Sequence, residues 1–530
     1  MGQPSFQASN AIIYVTYGAF LVLGTALAWK MRNQSKADFL SGNRTQSAFP
    51  LALNFIAAAM GSGILFSYPQ LATLAGVQGL LVYALASALP LMVFAALGPI
   101  IRKKCPEGFV LTEWVKQRYG VVTALYLSAL TLLTLFLYMV SELSAIGQVV
   151  TALTGLDGLP VLIVECLVTT VYTSLGGFKI SFITDNIQGA MIVALIIIAT
   201  ITVGVKTEIK PELIDSSGLL NSSLIGWQLV YILPVAILTN DFFLSNFWLR
   251  TFASKTDKDL WIGVSIAMVV ILITLTLVGC TGLVAAWSGA YDPTVDEDGS
   301  VAFFLLLEQL PNWVVGIVLV MSIALSTASF DSLQSAMVSS ASNDLFRNRL
   351  NTWWIRGAVV LIIVPVVILA LKAPSILQIY LISDLLSAAT IPVLMLGLSD
   401  RFYWWRGFEV LVGGLGGILT VFIFGAIYYD SAQQGAELIL LEQGLYTGDW
   451  GAFGAFVAAP VGGLLWGFGA LGLRLAFHLV RAKMTGRRFD ALDRPFPGPS
   501  HQRHEDDDMA AVTSDRETIA INTKVTGKFF

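Results

Sequence analysis

The chain has 530 residues, 56% of them hydrophobic and only 12% charged, with a formal net charge of −4. Soluble globular chains carry about 25% charged residues, so this composition excludes an ordinary soluble domain, and so small a net charge says little about partners. The three cysteines, Cys105, Cys166 and Cys280, are scattered without CxxC spacing and indicate neither a disulfide framework nor a metal site.

Apolar runs of roughly 20 residues, each long enough to cross a hydrocarbon core about 30 Å thick, recur along the chain. They predict an all-α polytopic membrane protein with about thirteen spans. In chain order these lie near 10–29, 50–68, 77–101, 121–148, 159–176, 185–205, 227–249, 261–287, 313–341, 354–372, 376–399, 407–428 and 451–475. The first run has no preceding positive charge and is followed by one, so it reads as a retained span rather than a signal peptide.

Scoring alternate loops for basic residues places Lys206, Lys210 and Lys372 on one side and the remainder of the 31 on the other. The positive-inside rule then puts the N-terminus outside and the C-terminus in the cytoplasm, in a multi-pass protein expected at the plasma membrane. The sequon at Asn221 falls on the outer loop 206–226. After about residue 481 the chain turns basic, then proline-rich, then acidic, and is expected to be a disordered cytoplasmic tail.

Two spans carry helix-weakening sequence. The second, "LNFIAAAMGSGILFSYP", has Gly61 and Gly63 after three alanines. The seventh, "WQLVYILPVAILTNDFFLSNFW", holds Pro234 and the polar pair Asn240–Asp241. Transporters bind solutes where such broken helices face each other near the midplane, although small residues also serve simple helix packing. Five carboxylates, Glu142, Glu165, Asp241, Asp331 and Asp384, lie within spans, where acids are costly and usually line a cavity or pathway. Glu165 has the weakest context and also suits a packing or interfacial role. Ser326, Thr327 and Ser329 beside Asp331 offer oxygens to a hard cation, or bond their own helix backbone. No nucleotide motif or HExxH occurs, and the three histidines sit at or beyond the last span. An ATP-driven pump and an intramembrane enzyme both lack their parts. No cofactor and no nucleic-acid partner is implied; oligomeric state is left open.

The stretch "YTSLGGFKISFITDNIQG" (172–189) is similar to the pattern of the sodium/solute symporter family, in which a Gly-Gly pair, a short loop and Thr-Asp-x-x-Gln mark the start of the sixth span. "DFLSGNR" (38–44), "ALGPIIRKKCPEGFVLTEWVKQRYG" (96–120), "FWLRTFASKTDKDL" (247–260) and Asn343-Asp344-Leu345-Phe346 match too, in order over about residues 10–475. The resemblance implies a leucine-transporter-type 5+5 inverted repeat with broken helices: residues 50–205 (spans 2–6) against 206–400 (spans 7–11). Residues 1–49 precede it, two further spans occupy 401–480, and the tail is 481–530. It implies no enzyme activity, but alternating access driven by a sodium ion or a proton.

Carried over residue by residue, the family's cation site falls on the carbonyls of Ala57 and Met60 and on Leu325, Ala328 and Ser329. Ala328 stands where the family usually has a hydroxyl, which weakens the case for sodium unless Ser326, Thr327 or Asp331 compensates. Asp185 matches the family's acid near the inner end of the sixth span, and also suits an N-terminal helix cap. The substrate positions, read from the family's sugar member, fall on Tyr138, Glu142, Asn240, Asp241 and Asp384. Among branches the chain looks most like active urea transporters, some of which accept polyamines. The implied function is therefore import of a small polar nitrogen compound, urea first, with proline, a polyamine or another amine as the alternative substrate, or a transport-like nutrient sensor.

Overall fold

The computed structural model describes residues 4–31, 33, 39–106, 108–292, 299–347, 349–372, 376–442, 449–486, 488–493 and 529. Most of the expected tail, from residue 494 to 528 together with Phe530, lies outside the described residues. Among the described residues there is no strand, only one isolated bridge between Gln46 and Ser254.

Among the described residues eighteen α-helices follow in order. The first nine are α1 (Phe6–Lys30), α2 (Ala48–Ala59), α3 (Ile64–Ala88), α4 (Leu91–Lys104), α5 (Leu111–Tyr119), α6 (Val121–Thr154), α7 (Leu159–Lys206), α8 (Pro211–Ser216) and α9 (Leu224–Asp241). The second nine are α10 (Ser245–Ala253), α11 (Asp257–Ser288), α12 (Ala302–Glu308), α13 (Asn312–Asp344), α14 (Thr352–Ala370), α15 (Ile376–Met395), α16 (Gly407–Tyr428), α17 (Ala432–Ile439) and α18 (Gly451–Thr485).

Among the described residues, 11 helices are long and apolar enough to cross a membrane, where the sequence suggests thirteen spans. The difference arises at two glycines. Helix α7 holds 48 residues, which at 1.5 Å each would reach far beyond one bilayer if straight. It turns at Gly177, whose φ of 60° and ψ of −152° lie outside helical space. A Cβ there would meet the Phe39 carbonyl oxygen at 2.3 Å, so a side chain is excluded both by conformation and by contact. Gly76 in α3 has nearly the same angles, φ 61° and ψ −156°. The expected short loop after the Gly-Gly pair is thus a single-residue turn, and helical hydrogen bonding resumes at once on either side.

That geometry also revises one role of Asp185. It lies inside α7, eight residues beyond the turn, and therefore cannot cap a helix start. The seventh span breaks at its polar pair and not at its proline. Pro234 stays within α9 without ending it, and the break comes later, between α9 and α10 at Phe242–Leu244. There the Phe243 and Leu244 N–H groups turn back to the carbonyls of Asn240 and Asp241, at 2.8 and 3.2 Å.

The second span breaks where its glycines indicate. Helix α2 stops at Ala59, Met60 takes an extended conformation (φ −121°, ψ 106°), and α3 restarts at Ile64. Both broken elements lie at the centre. Helix α2 packs on α7 and α11, α3 on α9 and α11, and α9 on α15. Helix α13 runs through the middle against α6 and α7 and is the most buried of the candidate spans, while α14 on the periphery is the least. Outside this centre α16 and α18 pair closely. They are tied by a fully buried ion pair, Glu409 to Arg474 at 2.5 Å, whose guanidinium also donates to the Trp404 carbonyl at 2.7 Å.

Candidate functional site

A last helical turn leaves carbonyls without intrahelical partners and a first turn leaves N–H groups without them. The break between α2 and α3 exposes both in one place, and the chain closes one of them with its own side chain. Glu142, on α6, accepts from the Ser62 backbone N–H at 2.8 Å and from the Ser62 hydroxyl at 3.0 Å through Oε2. Its Oε1 accepts from Tyr380 of α15 at 3.3 Å.

Glu142 also faces a cavity of about 130 Å³, room for several waters. Its wall contains three carboxylates, Glu142, Asp241 and Asp384, and four tyrosines, Tyr68, Tyr83, Tyr138 and Tyr380; among the described residues it contains no lysine, arginine or histidine. Asp384 is 5% exposed, and its Oδ1 has no hydrogen-bond partner among the described residues. A buried carboxylate oxygen without a donor is costly, so the site is built to receive one. The tyrosines form two pairs. Tyr68 and Tyr83 stack with centroids 4.0 Å apart at 5°, and Tyr138 meets Tyr380 at 4.7 Å.

Asn240 does not join the wall. Its amide donates to the Tyr138 hydroxyl at 2.5 Å and its Oδ1 accepts from Ser383 at 2.9 Å. Ser383 in turn lies 2.8 Å from Thr134. Asn240 thereby links α6, α9 and α15 and anchors the Tyr138 hydroxyl.

Of the expected cation residues, Ser329 reaches the cavity wall, whereas Ala57, Met60, Leu325 and Ala328 lie outside it, fully buried. The neighbouring hydroxyls, candidates to replace the one missing at Ala328, are engaged elsewhere. Ser326 donates to Glu165 Oε1 at 2.6 Å, and Thr327 to the Ile323 carbonyl at 2.7 Å. Asp331 accepts from Tyr172 at 2.5 Å, Ser181 at 2.8 Å and Thr184 at 3.3 Å. Among the described residues no group of histidine, cysteine and acidic side chains could hold a metal ion.

Asp185 also stands apart from the cavity. It forms a wholly buried ion pair with Arg250 at 2.6 Å. Arg250 further donates to Ser332, to the Asn246 carbonyl and to the Asn54 carbonyl, at 2.7, 2.8 and 3.2 Å. Glu165, whose context looked weakest, is fully buried between Tyr17 of α1 at 3.2 Å and Ser326 of α13. Sequence reading named Tyr138 but missed Tyr68, Tyr83, Tyr380 and Arg250. Tyr380 had a signal, four residues before Asp384 and so on the same helical face. Arg250 had none, because its partner lies 65 residues away.

The chain matches the model of the sodium:solute symporter family over residues 39–407. It is 56% identical over 499 residues to a spermidine transporter of Candida albicans, covering 93% of this chain and 95% of that one. It is 24% identical over 195 residues to a probable urea active transporter of Schizosaccharomyces pombe, 34% of this chain and 29% of that relative. In architecture it is similar to a Na+-coupled sialic acid symporter solved in a substrate-bound outward-open state. The TM-score is 0.64 at 15% identity, over 86% of this chain and 97% of that one. Broken central helices around an acid-lined cavity, in a leucine-transporter-type all-helical fold, agree with those matches. The chain belongs to the sodium:solute symporter family and is a cation-coupled transporter, not an enzyme.

Proposed function

We propose that this protein imports a polyamine, with spermidine as the reference substrate, by alternating access across the plasma membrane. The observation that carries this is the wall of the central cavity: three carboxylates and four tyrosine rings, with no basic side chain among the described residues. A polyamine presents several ammonium groups along a flexible apolar chain. Each ammonium gains from a carboxylate acceptor and from the face of a tyrosine, and the methylenes between them suit the apolar parts of the wall. Similarity to a spermidine transporter over nearly the whole chain supports the same choice. Urea, which the branch resemblance puts first, has thinner support: a neutral solute brings no positive charge to the carboxylates, and the urea-transporter match covers a third of the chain.

Substrate contacts in this reading fall to Glu142, Asp241, Asp384 and Tyr138, with Asn240 supporting. The coupling cation is sodium or a proton. It is assigned to the junction of α2 and α13, where the Ala57 and Met60 carbonyls, Leu325, Ala328 and the Ser329 hydroxyl supply oxygens, while Asp185 is held by Arg250. Residues 50–205 and 206–400 act as the two inverted halves, with the N-terminus outside and the C-terminus cytoplasmic.

The test is uptake of radiolabelled spermidine, putrescine, urea and proline into vesicles holding the purified protein, each under an imposed sodium or proton gradient. Spermidine accumulates above equilibrium under one of the two gradients. Accumulation of urea or proline with none of spermidine overturns the reading.

A further inference from the structure

We infer that Glu142 is a built-in anion: it fills the half-helix cradle at the α2–α3 break and so sets the class of solute the transporter accepts. The inference rests on the amine-import reading above and gives that selectivity a physical cause.

The start of a helix carries partial positive charge and unpaired N–H groups, which is why broken helices in transporters can receive a carboxylate from the solute. Here the place is taken. Glu142 is 2% exposed, and its Oε2 bonds both the N–H and the hydroxyl of Ser62 within 3.0 Å. The seat is cut to fit. A Cβ at Gly61 would lie 1.9 Å from Glu142 Oε1, so any side chain there would evict the carboxylate. Tyr380 closes the same carboxylate from α15. Glu142 therefore reaches from α6, an element that is not broken, across to one that is. A solute carboxylate arriving at the cavity finds its cradle occupied and three acidic groups in the wall. A solute ammonium finds the opposite.

The positioning predicts a change of solute class rather than a simple loss. Glu142→Ala opens the cradle, and Glu142→Gln keeps its shape and its acceptor oxygen but removes the charge. In vesicles, Glu142→Gln lowers spermidine uptake at least about tenfold, the scale of one charge-assisted hydrogen bond. Glu142→Ala lowers it similarly, and sodium formate, against chloride at equal ionic strength, restores it several-fold by refilling the seat. In that variant 4-aminobutyrate, which carries an amine and a carboxylate, becomes a competitor of spermidine, whereas it leaves the wild type unaffected.

A second readout needs no transported solute. Formate raises the melting temperature of purified Glu142→Ala and of neither the wild type nor Glu142→Gln. Equal formate effects on all three proteins, or none on any, overturn the inference, as does wild-type spermidine uptake by Glu142→Gln. Should Glu142→Ala fail to fold, Glu142→Gln alone decides. A wild type that takes up no spermidine, with formate still stabilising Glu142→Ala alone, refutes the polyamine reading and leaves the filled cradle standing.

Discussion

Two groups of buried acids share the middle of this protein and are solved in opposite ways. Around the central cavity, Glu142, Asp241 and Asp384 line a wall that has no basic side chain among the described residues. Along the α7–α13 contact, Glu165, Asp331 and Asp185 are fully buried, and each is met by side-chain donors: Tyr17 and Ser326, then Tyr172, Ser181 and Thr184, then Arg250 and Ser332. The cost of an acid at lipid depth is the same in both. One group meets it with the protein's own donors. In the other, Glu142 is seated on Ser62 and Tyr380, while Asp384 keeps an oxygen without a partner among the described residues, to be met by what enters. A buried carboxylate in a transporter is thus a candidate site where it borders a cavity, and part of the frame where it is packed between helices.

The sharpest way to break this contrast is to remove the one cationic donor named for the packed group. Arg250→Ala leaves the Asp185 carboxylate buried against uncompensated surroundings, and breaking such a pair costs about 3–5 kcal/mol. Folded yield and detergent melting temperature fall steeply, and transport disappears with the protein rather than by altered affinity. Arg250→Ala combined with Asp185→Asn recovers part of the yield. A variant that folds normally and shows only weaker substrate affinity would move Arg250 from the frame into the site.

Substitution in the cavity group has the opposite pattern. Asp241→Asn and Asp384→Asn leave surface expression and melting temperature near normal and lower spermidine uptake by roughly tenfold or more each, as expected for a lost charge-assisted contact. Glu165→Gln, the matched change in the packed group, keeps a hydrogen-bonding amide between Tyr17 and Ser326 and changes uptake by less than about twofold. Unchanged kinetics in both aspartate variants would take them out of the site.

How much of this contrast is visible in the sequence depends on what kind of interaction makes it. Helix breaks are local: Gly61 and Gly63 weaken their own turn, and the polar pair Asn240–Asp241 stands out against its own apolar run. Both fall where the structure interrupts a span. The turn at Gly177 was marked by the Gly-Gly pair, although a single left-handed residue replaced the expected loop. Partners are not local. Nothing in the strings around Glu142 and Glu165 distinguishes an acid that seats itself on a broken helix from one clasped by Tyr17, because Ser62 and Tyr17 lie far away in the chain. Aromatic residues are nearly as mute: the family resemblance points to Tyr138, but a tyrosine in an apolar run ordinarily packs, and only the assembled cavity adds Tyr68, Tyr83 and Tyr380.

A smaller effect probes the junction between the two groups. Ser329 borders the cavity from the same helix that carries Asp331, and with alanine at 328 it is the one side-chain hydroxyl of the carried-over cation set. If sodium is the coupling ion, Ser329→Ala raises the sodium concentration for half-maximal uptake several-fold, since a hydroxyl ligand to a cation is replaced by nothing, while the spermidine half-saturation at high sodium stays within about twofold. Loss of uptake on collapsing a proton gradient, with sodium replacement harmless, assigns coupling to protons instead.

The mildest test lies outside both groups, where an acid is only partly withdrawn from water. Glu113, on the short helix α5, accepts from the Phe109 N–H at 3.0 Å, beside a small pocket that it shares with Lys116, Asn343, Asp344 and Arg347. Burial chiefly, and the Asp344 carboxylate secondarily, push its pKa from an ordinary 4.5 up to about 7, against the lowering pull of the Phe109 N–H and Lys116. The folded form therefore binds this proton more tightly than the unfolded form. Its contribution is fully present below about pH 4.5 and is lost as the pH rises through about 7. Part of that range is screened by solvent, so the loss amounts to about 1–2 kcal/mol. Hydrogen exchange over residues 108–119 should thus become faster between pH 5 and pH 8 by more than the intrinsic base-catalysed rise. Glu113→Gln flattens the excess, because an amide does not titrate. A wild-type pH profile that matches the glutamine variant would show Glu113 to be solvated, with Lys116 and Arg347 setting its charge.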